Sequence, residues 1–151
     1  MTITGLRIPA DLNEPIRKVS INGYEDLNRN VGGYIEAVRI WSGRVTIYVN
    51  EEGLLKGLPR NARASRLRVQ GQPKTPWNGH PGDYWKFRHG LDLALVGDAL
   101  LLGPPDGEGN DTGVTDKDIR NAMMMIGYKP EAIQAVLDGA SLEGLRQANK
   151  S

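Results

Sequence analysis

The stretch Tyr34–Val49 reads YIEAVRIWSGRVTIYV. Two runs rich in β-branched and aromatic residues, Tyr34–Trp41 and Val45–Val49, flank the short loop Ser42-Gly43-Arg44. Such side chains lose rotamers in a helix and pack well on a pleated surface. The glycine-containing loop between them reverses the chain, so the spacing predicts a β-hairpin. Side chains alternate along a strand, which sets Tyr34, Glu36, Val38 and Ile40 on one face and Ile35, Ala37 and Arg39 on the other. Glu36 therefore shares an apolar face, where a carboxylate either sits at a sheet edge or holds a specific partner.

Upstream, Tyr24, Leu27 and Val31 recur at helical spacing, with Asn22 and Glu25 as a capping pattern and Gly32-Gly33 as the stop. Thr2–Arg7 and Ile16–Ile21 read as short strands. Downstream, Asn50–Gly53 is a turn by composition and Leu54–Leu58 carries the apolar pattern onward. Pro59-Arg60-Asn61 turns the chain again, and the alternation in Arg66–Gln70 suggests a strand with a basic face. Gln70–Gly90 is loop-like, Leu91–Leu102 returns to strand character interrupted by Gly97-Asp98, and Gly103–Gly113 is a loop.

The C-terminal part is helical. Thr115-x-x-Asp118 caps a helix with a stripe at Ile119, Ala122, Met123 and Ile126, ended by Gly127. Pro130 opens a second helix to Leu137, Gly139 ends it, and Ser141 caps a third through Ala148. The expected fold class is α+β: a small mixed or antiparallel sheet with a central hairpin and one packing helix over residues 1–113. A three-helix unit over 114–151 follows, either independent or packed on the sheet.

These residues carry a resemblance. Val31-Gly32-Gly33-Tyr34-Ile35-Glu36, Asn50-Glu51-Glu52-Gly53, Leu58-Pro59-x-Asn61, Val96-Gly97-Asp98-Ala99 and Gly103-Pro104-Pro105-Asp106 together resemble the domain of unknown function 3846 over roughly residues 2–113. That family occurs in actinobacteria and in phages and other mobile elements, so the resemblance implies an origin rather than a chemistry. Met125-Ile126-Gly127-Tyr128 is similar to the loop of ubiquitin-associated-type three-helix modules over 115–149.

The 151 residues contain no cysteine, which excludes disulfide and thiol chemistry. No apolar run reaches the roughly 20 residues of a membrane span, and the N-terminus lacks a signal-peptide pattern, so the expected location is the cytoplasm. Net charge is +1, but Gly53–Gly82 holds no acidic residue and Asp98–Asp118 is acidic.

Several candidate sites follow. Tyr34, Glu36, Asn50, Glu51 and Asn61 supply carboxylate and amide groups around the hairpin, either as a ligand site or as turn formers. Arg60, Arg63 and Arg66 share a face if their segment is helical, and Arg66 and Arg68 share one if it is a strand; with Trp77, Tyr84, Trp85 and Phe87 after them, these are the residue types that neutralise phosphates and stack on bases. His80, His89 and Asp83 make a poor metal set, and Asp106-x-Glu108-x-Asn110 fails as a calcium loop because Lys117 occupies its twelfth position. No Walker loop, dinucleotide glycine fingerprint or nucleophile elbow is present, so neither a metal nor a cofactor is implied. The leading expectation is a non-enzymatic phage or mobile-element accessory protein that binds a host or phage protein. A nucleic-acid or nucleotide binder using the basic segment 56–74 is the alternative, and an enzyme with hairpin carboxylates ranks last. A homodimer by sheet extension is a further possibility.

Overall fold

The computed structural model describes residues 2–70 and 94–150. In chain order it contains β1 (Ile3–Ile8), β2 (Arg17–Ile21), α1 (Tyr24–Val31), β3 (Ile35–Ile40), β4 (Val45–Asn50), α2 (Ala62–Gln70), β5 (Ala99–Leu102), α3 (Asp116–Ile126), α4 (Pro130–Leu137) and α5 (Leu142–Lys150). The strands form one antiparallel sheet in the order β2-β1-β5-β4-β3. The fold is α+β. The expected hairpin is present, with Ile40 paired to Val45, and β5 lies beside it as the middle strand.

The alternation of β5 divides the core. Ala99 and Leu101 face a large cluster that includes Leu6, Ile47, Ala64, Leu67, Ile119, Met123, Ile133 and Leu145. The three C-terminal helices thus share a core with the sheet. Leu100 and Leu102 face the opposite way, onto Ile21 and Leu27, with Ile3, Val19, Ile35 and Tyr48 at the margin. A Cβ on Gly5 would lie 2.9 Å from Leu100 Cδ1 and 3.0 Å from Leu102 Cδ2, so β1 passes this second cluster closely because it has no side chain there.

Most local signals act where the sequence puts them. Thr115 and Asp118 form a reciprocal capping box, and Gly127 ends α3 at φ 111°. Three readings need correction. The N-cap of α1 is Gly23, at φ 96°, rather than Asn22. Of its two first-turn carboxylates, Glu25 and Asp26, it is Asp26 that accepts from the Asn22 N–H, at 2.6 Å. Arg66–Gln70 is not a strand: Asn61 Oδ1 accepts from the Ala64 N–H at 3.0 Å and starts α2, whose Ala64 and Leu67 face the core. Leu54–Leu58 does not continue the apolar pattern, because residues 51–57 fold into consecutive turns.

Candidate functional site

The hairpin residues divide into two groups. Asn50 is buried; its Nδ2 donates to the Val31 carbonyl at 3.2 Å and its Oδ1 accepts from the Glu52 N–H at 2.8 Å. The side chain ties the C-terminus of α1 to the end of β4. Asn61 is wholly buried and donates from Nδ2 to Ile8 (2.7 Å) and Gly97 (3.0 Å) carbonyls. These two amides hold the fold, and a buried amide left unpaired would cost about 1–3 kcal/mol. Tyr34, Glu36 and Glu51 are exposed, and the Glu51 N–H donates to the Tyr34 carbonyl at 2.8 Å. Among the described strands β3 is an edge, so Glu36 takes the sheet-edge alternative. With Arg39 it places charge along that edge, a feature that disfavours sheet extension.

The basic run is dispersed by the turn of α2. Arg63 is 6% exposed. Its Nη1 donates to the Tyr128 hydroxyl at 2.9 Å, and its Nη2 donates to the carbonyls of Pro9 (2.7 Å), Glu14 (2.8 Å) and Asp11 (3.0 Å). Arg66 is exposed and its Nε donates to the Met125 carbonyl at 3.2 Å. Arg60 is exposed outside the helix, beside Val96, and Arg68 is half-buried. The segment takes the helical alternative, not the Arg66–Arg68 strand face, but Arg60 precedes the helix, and of Arg63 and Arg66 only Arg66 is exposed. Trp77, Tyr84, Trp85, Phe87, His80, His89 and Asp83 lie outside the described residues. Met123 is core, Met125 and Tyr128 pack at its margin, and Met124 is exposed.

Residues 51–57 form a surface that sequence reasoning missed. Backbone N–H groups of Gly53, Lys56, Gly57 and Leu58 donate to carbonyls of Asn50 (3.1 Å), Glu52 (2.9 Å), Leu54 (3.2 Å) and Gly53 (3.0 Å). A Cβ on Gly53 would meet Val96 Cγ2 at 2.7 Å, so the base of the loop is clamped against the chain that leads into β5. At its tip Leu54 is 82% and Leu55 90% exposed. The available signal was two leucines enclosed by Gly53 and Gly57, a turn composition around apolar side chains.

A cleft of about 520 Å³ opens on the α1 face, with Ile3, Ile21 and Leu27 as apolar lining and Asp106 and Asp111 on one wall. The Tyr48 hydroxyl donates to Asp111 Oδ1 at 2.5 Å. Burial, then this bond and the Asp111 charge, push the Tyr48 hydroxyl well above the usual tyrosine range. The Asp106 carboxylate is held below its ordinary range by the N–H groups of Asn110 and Glu108, which occupy it within its own loop. Among the described residues no three His, Cys, Asp or Glu side chains converge to hold a metal ion. No helix among them is long and apolar enough to cross a membrane.

The model of the family described as a domain of unknown function, DUF3846, matches residues 3–127. The chain belongs to the DUF3846 family. The match extends past Gly113 and includes all of α3, whose Ile119 and Met123 share the core with the strands. The motifs of the DUF3846 resemblance interlock in space. A Cβ on Gly97 would meet Leu58 Cδ1 at 2.8 Å. The Gly97 N–H donates to the Pro59 carbonyl at 2.7 Å, and Asp98 pairs with Arg7 at 2.7 Å. These motif residues fasten the turns around β5. No curated protein and no solved structure matches the chain.

Proposed function

We propose that this DUF3846 chain is a non-enzymatic accessory protein of a phage or mobile element, acting in the host cytoplasm by binding a host or phage protein. The observation that carries this reading is the 51–57 loop, which holds Leu54 and Leu55 at 82% and 90% exposure on a hydrogen-bonded base. Two adjacent leucines in water gain nothing for the free chain, whereas a partner that buries them recovers about 1.5–3 kcal/mol for each. Because the loop is already ordered, little conformational entropy is lost on docking. Tyr34 is 64% exposed, and its carbonyl accepts from Glu51 at the loop base, which adds a large amphipathic side chain of the kind enriched at interfaces. The commitment of Asn50, Asn61 and Arg63 to internal bonds further supports a reading in which apolar anchors, not the polar hairpin residues, make the contact.

The test is affinity capture of partners from host cells, comparing the full chain with the Leu54→Asp/Leu55→Asp double variant. The reading expects a defined partner with the wild type and its loss with the variant, while the variant's thermal midpoint stays close to wild type. Equal capture by both proteins overturns the loop as the docking element. Binding of single-stranded DNA or RNA that weakens steeply with salt would instead favour the basic segment 56–74. Substrate turnover dependent on Glu36 or Glu51 would replace binding by catalysis.

A further inference from the structure

Arg63 carries a charge that the described residues do not answer with a charge. Its four hydrogen bonds go to three backbone carbonyls and one hydroxyl, all neutral acceptors, and its buried Nε has no hydrogen-bond partner. Glu14, whose carbonyl is one of the acceptors, has its carboxylate turned to Arg146 at 3.3 Å. A guanidinium with this degree of burial and only neutral partners is costly unless something anionic approaches it.

The same side chain lines a cavity of about 290 Å³ together with Leu12, Ile126, Gly127, Tyr128, Lys129 and Ala132. The described lining holds two cations, Arg63 and Lys129, and no carboxylate. Lys129 is exposed and is also the N-cap of α4, where no side chain accepts from the first turn. Pro130 has no N–H to offer, but the amide of Ala132, which lines the cavity, lies in the first turn of α4 and has no carbonyl partner inside the helix. The Tyr128 hydroxyl accepts from Arg63 and so retains its own hydrogen to donate. Cationic side chains, a hydroxyl donor and the positive end of a helix thus converge on one space. The remaining lining, Gly127 with the apolar side chains of Leu12, Ile126, Ala132 and Ala148, carries no charge, and Leu12 is 64% exposed at the rim. Glu131, the nearest carboxylate in the first turn of α4, is exposed and does not line the cavity.

We propose that this cavity binds a small organic oxyanion, its carboxylate or phosphate head at Arg63, Lys129 and the start of α4, and its short aliphatic body against Leu12, Ile126 and Ala132. The site is separate from the 51–57 loop and does not rest on the reading given for that loop.

Hexanoate and hexyl phosphate are the probes, titrated into the full chain while backbone amide NMR shifts are followed, with hexanol as the uncharged control. Saturable shifts confined to Gly127–Ala132 and the α2 residues around Arg63 are expected with at least one anion, and hexyl phosphate against hexanoate identifies the preferred head. Lys129→Ala, at an exposed position, should weaken that binding about tenfold, as loss of a charge-assisted contact does. Arg63→Lys, checked for native circular dichroism, should weaken it further. Absence of saturable shifts with both anions, equal shifts with hexanol, or an unchanged affinity in Lys129→Ala would overturn the site.

Discussion

On one face of the sheet, among the described residues, twenty buried side chains from the strands, α2, the three C-terminal helices and the segments between them join in a single cluster. On the other face α1, eight residues long, covers a cluster of four. The large face is where apolar burial stabilises the chain, since that contribution scales with area removed from water. The small face keeps polar groups among its apolar ones: Tyr48 reaches Asp111, Asn50 reaches Val31, and the cleft beside α1 remains open. A sheet so unevenly covered separates the part that must not change from the part that tolerates a rim of polar contacts.

The largest test of this contrast is truncation after Gly113. It removes Ile119, Met123, Ile133 and Leu145 from the large cluster, each a loss of about 2–5 kcal/mol if truncated singly. Together these losses, roughly 8–20 kcal/mol, are as large as the whole stability of a typical domain, roughly 5–15 kcal/mol, so the fragment should be unfolded by circular dichroism and NMR dispersion. A folded fragment 1–113 would mean that the sheet carries its own core.

Neighbouring residues of β5 allow a finer comparison. Leu100 and Leu101 are both wholly buried but face opposite clusters. Leu101→Ala should cost about 4–5 kcal/mol in chemical denaturation and Leu100→Ala about 2–3, because the thin face can collapse around the cavity more readily. Equal losses would break the contrast between the faces.

The smallest effect belongs to Tyr48→Phe, expected to cost about 1 kcal/mol near neutral pH for the lost bond to Asp111. Its pH dependence sharpens the assignment. The folded state holds the Tyr48 proton more tightly than the unfolded chain does. The stability it contributes is therefore present below the ordinary tyrosine value of about 10 and declines as pH rises past it. The gap between wild type and Tyr48→Phe should narrow above that pH, and a gap that stays constant would remove Tyr48 as its source.

Much of the fold was legible because its signals are short-range. The Thr115–Asp118 box closes within one turn, Gly127 and Gly139 adopt positive φ of 111° and 69°, and Ser42-Gly43-Arg44 reverses the hairpin with its own backbone bonds. A donor, an acceptor or a missing Cβ a few residues away is enough to specify each. The candidate site was far less legible. Glu36 was placed on the right face, but a strand's alternation does not say whether that face is covered at that point. The RLRVQ run fits a strand as well as a helix, because five residues hold too little of either period to separate them.

What the sequence determined by itself is the set of local elements and, through the combined motifs, membership of the DUF3846 family. Tertiary structure alone decided which charged and amide side chains remain available. Arg63 meets Pro9, Asp11 and Glu14 from 54, 52 and 49 residues away and Tyr128 from 65 away. Asn61 meets Ile8 across 53 residues and Gly97 across 36. Residue type states what a side chain can donate or accept, but whether it meets a carbonyl, a ligand or water depends on segments brought together only when the whole core forms. The same rule left Leu54 and Leu55, apolar by sequence, standing in solvent at the tip of a clamped loop.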